Sequence, residues 1–268
     1  MRAVVIGNGE SRAWFKPNQV KANDVITWGC NAIYRDGYVD HLVAVDYAMQ
    51  QEIYDSGYCL EQPEWPEQGI CHFANWKIVP SEAADMMLLG YNIPEEFIHK
   101  SKKVTNKCVI SGKDPTALQE KIDTAIQMNP HLDMKDLKLK MEKDVGLWIT
   151  YVCEDDMVIS ADSPTGWSAG NTALYLASQV AEVIYIIGFD LSSYDAPLNN
   201  IYKGTKNYLP SDTRGFNPVN WHNQMRTMFR VEGDDTQYYL VDSTLEFEED
   251  NVTYITKNEF CKEVLDKT

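Results

Sequence analysis

Four aliphatic runs, each closed by small or polar residues, constrain this chain more than anything else in it. They are "AVVI" before Gly7, "VITWG" before Cys30 and Asn31, "HLVAV" before Asp46, and "VIYII" before Gly188, Phe189 and Asp190. A run that is apolar at every position, rather than at alternate ones, belongs to a strand buried on both faces, and the helical stretches between the runs supply the cover. The pattern predicts an α/β fold: a Rossmann-like domain with a mostly parallel sheet and helices on both faces. The 268 residues suit one such domain over 1–268, because an α/β core of this size need not split.

The first strand is expected over 3–6, followed by a glycine turn and a helix start; the second ends at Cys30 and Asn31; the third runs to Val45, with a helix from about Tyr47. A short strand is expected over 71–74 and a helix over about 81–89, capped by Ser81. Asp114 and Pro115 open a periodic helix with Leu118, Ile122, Ala125 and Ile126 on one face, and a second helix spans about 132–143. This helical hairpin, at about 111–145, reads as an insertion between sheet strands near Val109 and "LWITYVC": a lid, an acceptor platform or structural padding. A long polar stretch with three tyrosines, about 191–218, reads as a lid, since loops of this length in a compact domain are functional or disordered. A helix over 221–229, strands over 238–241 and 252–255, and a helix from about Asn258 close the chain.

The formal net charge of −16 argues against non-specific binding to nucleic acid or an anionic membrane. Two basic places stand against that background: Lys100, Lys102, Lys103 and Lys107, and the pair Arg226 and Arg230 on one face of a late helix. Each either holds an anionic substrate or is solvated surface charge. No apolar run approaches the roughly 20 residues of a membrane span, and the apolar stretch after Arg2 is too short for a secretory signal; a cytoplasmic protein is expected. The six cysteines are scattered, without metal-ligand spacing, and read as reduced thiols. No motif that would hold a metal is present, and neither a metal nor a cofactor is expected.

"GNGES", Gly7 to Ser11, is a tight glycine turn whose amides can meet a phosphate, or simply a turn. A dinucleotide fingerprint would need a third glycine where Arg12 stands and an acidic residue where Asn31 stands, so NAD and FAD are disfavoured and a nucleotide of another kind gains. Ser168, Ala169, Gly170 and Asn171 begin a helix with residues small enough for a flat ring or phosphate to approach, while Ser168, Asn171 and Thr172 offer hydrogen bonds. The bland alternative is that Ser168 is only a helix cap. The next strand delivers Asp190 to the carboxyl edge of the sheet, where ligands of open α/β sheets bind. His222, in the first turn of a helix expected to begin at Trp221, is held neutral by the positive helix end and suits a general base.

Together these pieces resemble the bacterial sialyltransferases of glycosyltransferase family 42 and related sialyltransferase-like proteins of bacteria and phages. "GNGES", "ITWGCNAIY", "SAGNTALYLASQVAEVIYIIGFD" and a histidine downstream of a tyrosine-bearing lid follow in the family's order. The resemblance implies a metal-independent, inverting glycosyltransferase with a nucleotide sugar, CMP- or UDP-linked, as substrate. By position Gly7, Asn8, Gly9, Ser11, Asn31, Ser168, Ala169, Gly170, Asn171 and Asp190 would bind the nucleotide, Tyr194 and Tyr202 would hold the departing phosphate, and His222 would deprotonate the acceptor hydroxyl. Asp46, where a neutral polar residue is common in the family, and Arg226 are candidates for the sugar or acceptor. The acceptor would be a glycan, a lipid-linked molecule or a hydroxymethylated DNA base of phage type; a homo-oligomer is possible. A pterin-type nucleotide pyrophosphokinase is the alternative from another reaction class.

Overall fold

The aliphatic runs form strands where the sequence puts them. Arg2–Ile6 (β1), Val25–Cys30 (β2), His41–Ala44 (β3) and Ile70–Phe73 (β4) come first; Val109–Lys113 (β5), Trp148–Val152 (β6) and Val158–Ser160 (β7) follow; Val183–Ile187 (β8), Gln237–Val241 (β9) and Val252–Ile255 (β10) complete the set. The helices are Tyr47–Asp55 (α1), Ala169–Ser178 (α2), Val219–Thr227 (α3) and Lys257–Phe260 (α4). The computed structural model describes residues 1–21, 24–58, 69–74, 109–113, 127, 148–152, 158–161, 164, 166–191, 196–215, 217–232 and 236–265, and divides into two compact units, Met1–Ala74 with Ala161–Thr268, and Asn75–Ser160.

In the first unit seven strands stand in the order β10-β9-β8-β1-β2-β3-β4, and every neighbouring pair is parallel. The fold is α/β and Rossmann-like. From β1 the chain steps outward through β2, β3 and β4, then returns to the other side of β1 with β8, β9 and β10. The topological switch therefore lies between β1 and β8, and ligands of open α/β sheets bind beyond the strand ends at such a point. Burial follows position: β1 and β2 are buried almost throughout, whereas β10, at the edge, is partly exposed along its length.

Alternation along the strands gives each face its own cover. Ala3, Val5, Trp28, Ile184 and Ile186 face α2, which contributes Ala173, Leu174 and Ala177, while Met225, Met228 and Phe229 close the same layer. On the other face Phe15 and Phe260 meet edge-on at 5.8 Å, and Tyr185 packs against Phe260 at 5.5 Å. The chain between β1 and β2 differs from expectation. It forms two short 3-10 turns, Glu10–Arg12 and Pro17–Gln19, in place of an α-helix. Pro17 begins the second turn, and Phe15 is fully buried, so this face is covered by an aromatic wedge.

The second unit also departs from expectation at its strands. Val109–Lys113 and Trp148–Val152 pair with each other, antiparallel, in a separate two-stranded sheet. The helices expected at about 81–89, 114–126 and 132–143, and the lysines from Lys100 to Lys107, lie outside the described residues. The thiols of Cys30, Cys71 and Cys261 are free. Among the described residues no helix is long and apolar enough to cross a membrane.

Arg12 is the largest fully buried side chain described. Its Nε donates to the Gly7 carbonyl at 2.6 Å, and its terminal nitrogens reach Asp36 Oδ2 at 3.1 Å, Tyr202 Oη at 2.8 Å and Asn8 Oδ1 at 3.4 Å. Burial alone would raise the Asp36 carboxyl, but hydrogen bonds from Lys16, Tyr202 and Arg12 overcome that and hold it below its ordinary value. Removing one member of a buried ion pair strands the other, at a cost of about 3–5 kcal/mol. Arg12→Met is expected to lose stability of about that size in chemical denaturation.

A second buried polar group sits under α2. The rings of Trp28 and His41 stack at 3.9 Å, and His41 Nδ1 lies 2.9 Å from His72 Nε2. One nitrogen must donate and the other accept, so at least one ring is neutral. Burial lowers both pKa values, that of His72 to about 3 with help from His41, while Asp40 partly opposes the lowering at His41. Depressed histidines stabilise the fold above their unfolded value of about 6.5 and cease to do so as pH falls below it. The melting temperature should therefore be level above about pH 7 and fall on acidification toward pH 4, with a shallower slope in His72→Gln.

Candidate functional site

Beyond the carboxyl ends of β1, β2 and β8 lies a cleft of ≈ 160 Å³. Gly7, Asn8 and Gly9 enter it from β1, Cys30 and Asn31 from β2, and Gly188, Phe189 and Asp190 from β8. The start of α2, Ser168 to Asn171, forms the opposite wall, joined by Trp221 of α3. An adjoining hollow of ≈ 320 Å³ shares Asn31, Asp190 and Trp221 and is lined further by Asp46, Met49, Leu198 and Asn199. Asn200, likewise shared with the cleft, and Ala48, Asn207, Tyr208 and Leu209 complete it. Sequence positions 8, 31, 168–171 and 190 are thus brought together at the topological switch.

The glycine turn works by close backbone approach. A side chain at Gly7 would put its Cβ 2.3 Å from the Gly188 carbonyl oxygen, and one at Gly9 would meet the Asp190 carboxyl at 2.5 Å. Four of its five amides, those of Gly7, Gly9, Glu10 and Ser11, are spent within the protein. Gly7 and Gly9 donate to the carbonyls of Ile187 and Gly188, Glu10 donates to Asn199 Oδ1 at 2.7 Å, and Ser11 donates to Asp190 Oδ2 at 2.6 Å. The Ser11 hydroxyl also donates to Asp190. Asp190 thus caps the turn by accepting from both the amide and the hydroxyl of Ser11.

At the start of α2 the accounting is different. Ser168 caps the helix by accepting from the Asn171 amide at 3.3 Å, and its carbonyl accepts from Thr172. The first two helical residues, Ala169 and Gly170, line the cleft at the positive end of the helix, where backbone N–H groups attract an anion. The carboxamide nitrogen of Asn171 donates to the Trp221 carbonyl at 3.1 Å and to Gln224 Oε1 at 2.8 Å. Its oxygen is buried without a partner, in a residue only 1% exposed. Gln224 also accepts from the Ser168 amide at 3.1 Å, so one glutamine fixes α3 against the start of α2.

Asn31 is the second buried acceptor. It follows β2 with φ at +52°, a left-handed conformation that asparagine tolerates better than most residues, and its Oδ1 has no partner. Both residues line the cleft, and among the described residues neither oxygen has a partner; a buried polar atom left unpaired costs free energy, which a ligand N–H or O–H reaching it would offset.

The polar stretch expected as a lid folds over the second hollow and is tied down at several points. Asn207 donates to Glu52 Oε2 at 2.6 Å, and Arg35 pairs with Glu52 while donating to Thr205 Oγ1 at 2.8 Å. Burial would raise Glu52, yet hydrogen bonds from Tyr34, Arg35 and Asn207 hold it below its ordinary value. Tyr208 is the tyrosine that lines the hollow, its Oη taking a hydrogen bond from Asn8 Nδ2 at 3.3 Å and one from the Ala32 amide at 3.4 Å. Tyr202 does not line it. Its hydroxyl is occupied between Arg12 and Asp36, donating to the latter at 2.7 Å, and burial raises its pKa. Tyr194 lies outside the described residues.

Two further positions fall elsewhere. Arg226 points its Nε to Glu249 at 3.7 Å, beside Arg230 at 2.7 Å, and lines neither hollow. His222 likewise is not among the lining residues. α3 begins at Val219, two residues earlier than the sequence suggests, and it is Trp221 that reaches the cleft. The imidazole stacks on Phe247 at 4.4 Å with Nε2 3.3 Å from the Glu246 carbonyl, an arrangement that places the proton on Nε2 and leaves Nδ1 able to accept one. Burial pushes the Cys30 thiol up to about 12, which removes it as a nucleophile. Among the described residues no three histidine, cysteine, aspartate or glutamate side chains gather as a metal site.

No family model matches the chain, and no curated protein matches it in sequence. Among solved structures it is similar to the monofunctional alpha-2,3-sialyltransferase Cst-I from Campylobacter jejuni, with a TM-score of 0.45 and 9% identity over 89% of this chain and 74% of that one. It is also similar to the sialyltransferase CstII from Campylobacter jejuni in complex with a substrate analogue, cytidine-5'-monophosphate, with a TM-score of 0.40 and 11% identity over 89% of this chain and 79% of that one.

Proposed function

We propose that the protein is a glycosyltransferase that binds a nucleotide sugar at the β1/β8 switch and transfers the sugar to an acceptor hydroxyl. The observation that carries this reading is the pairing, on one cleft, of the buried unpartnered oxygens of Asn31 and Asn171 with the amide-bearing start of α2 at Ala169 and Gly170. The oxygens suit base amines or ribose hydroxyls; the helix end suits a phosphate. The adjoining hollow gives a sugar a place beside that phosphate.

In this reading the acceptor oxygen attacks the anomeric carbon, a new glycosidic bond forms, and the bond to the phosphate oxygen breaks with its electron pair leaving on phosphate. One displacement inverts the carbon, and no protein nucleophile is needed. The growing phosphate charge is met by the α2 amides and by the Tyr208 hydroxyl, neutral donors that can act without a metal. The acceptor proton goes to a base. The family resemblance points to His222 for this role; its imidazole lines neither hollow, so the turnover of a His222 variant decides it.

Thermal shift against CMP, UDP, GDP and ADP should give the largest rise for a pyrimidine nucleotide, because a ligand bound only by the folded state raises the melting temperature. Asn31→Gly keeps the left-handed backbone accessible while deleting the acceptor oxygen; it should weaken that nucleotide about tenfold, the worth of roughly one hydrogen bond. Binding that is unchanged in Asn31→Gly would remove Asn31 from nucleotide recognition. His222→Ala should lower turnover at least about a hundredfold, within the usual range for a general base, with nucleotide affinity unaltered. Retained turnover would move the base role to a cleft carboxylate.

A further inference from the structure

The second hollow has an electrostatic character that the first lacks. Asp46 opens into it at the start of α1, and Asp190 lies on the boundary with the nucleotide cleft. Asn31, Asn207 and Tyr208 contribute polar walls and Trp221 an apolar one. Among the described residues no lysine or arginine lines it. The nearby guanidinium groups are already neutralised, Arg12 by Asp36 and Arg35 by Glu52. Asp190 is occupied by Ser11. Among the described residues Asp46 pairs with no cation, and desolvation raises its carboxyl above the ordinary value although the residue stays open to solvent.

A ligand carboxylate in this hollow would sit beside two carboxylates, with no lysine or arginine among the described lining residues to offset the repulsion. A ligand hydroxyl can donate to Asp46 and to the lone oxygen of Asn31, and a ligand ammonium would gain an ion pair with Asp46. We propose that this hollow is the sugar subsite and that it takes an uncharged or amine-bearing glycosyl group while rejecting a carboxylate-bearing one. The proposal rests on the nucleotide-sugar reading above and specifies its donor class by charge.

The test is a ligand-observed NMR titration of the intact protein with glucosamine, glucose and glucuronate, three sugars that differ in the charge of one substituent. It is run with saturating CMP or UDP, whichever raises the melting temperature, and on nucleotide-free protein if neither does. Glucosamine should bind tightest, glucose next, and glucuronate at least about tenfold more weakly than glucose. Asp46→Asn should draw the three to within about threefold of one another. Glucuronate binding as tightly as glucose, or no sugar binding at all, would overturn the charge class, as would an order unchanged in Asp46→Asn. Failure of every nucleotide to shift the melting temperature would instead sink the nucleotide reading, and the sugar order would still decide the character of the hollow.

Discussion

The buried guanidinium of Arg12 holds together the parts on which the cleft depends. It bonds to the carbonyl of Gly7 and the side chain of Asn8 in its own turn, and to Asp36 and Tyr202, so three stretches of chain meet at one planar group. A guanidinium suits this task because its fork of donors stays charged and fixed in direction, whereas an ammonium would serve one or two partners. Gly188 approaches the same side chain with φ at +71°, and a Cβ added there would sit 3.0 Å from Arg12 Cγ. The absence of a third glycine after "GNG" thus has a structural meaning. The position is taken by a residue that braces the turn from beneath.

The frame was legible because burial on both faces leaves a trace at every residue of a strand. The residues contributed by the strand ends were legible for the same reason: Gly7, Asn31 and Asp190 follow runs whose ends can be read. Ser168 as a cap and Asn171 as a cleft residue were readable from small-residue spacing at a helix start. What escaped was anything decided by contacts far apart in sequence. Which of two tyrosines in an aperiodic stretch would face the ligand depends on partners roughly 200 residues away, Asn8 for Tyr208 and Arg12 for Tyr202. His222 and Trp221 are neighbours in sequence but about 100° apart around a helix, and the side that faces the cleft is chosen by Asn171 and Gln224.

Charge in this protein is handled locally. The chain is strongly acidic overall, yet the guanidinium groups of Arg12 and Arg35 are committed to Asp36 and Glu52, and the cleft itself presents backbone amides, carboxamides and hydroxyls. Such a surface discriminates by geometry and by hydrogen-bond polarity rather than by attraction at a distance. It also makes the ligand's own charge the variable that matters.

The way the second unit joins the first has its own consequence. The chain leaves the sheet at Ala74, whose amide bonds to the Ala44 carbonyl at 3.0 Å, and comes back at Ala161, whose amide bonds to the Phe73 carbonyl at 2.9 Å. Exit and re-entry are stitched to neighbouring strands, β3 and β4. Because closing a longer excursion between two points already held adjacent adds little entropic cost, the length and content of that excursion are free to vary among descendants of this chain without disturbing the frame that carries the cleft.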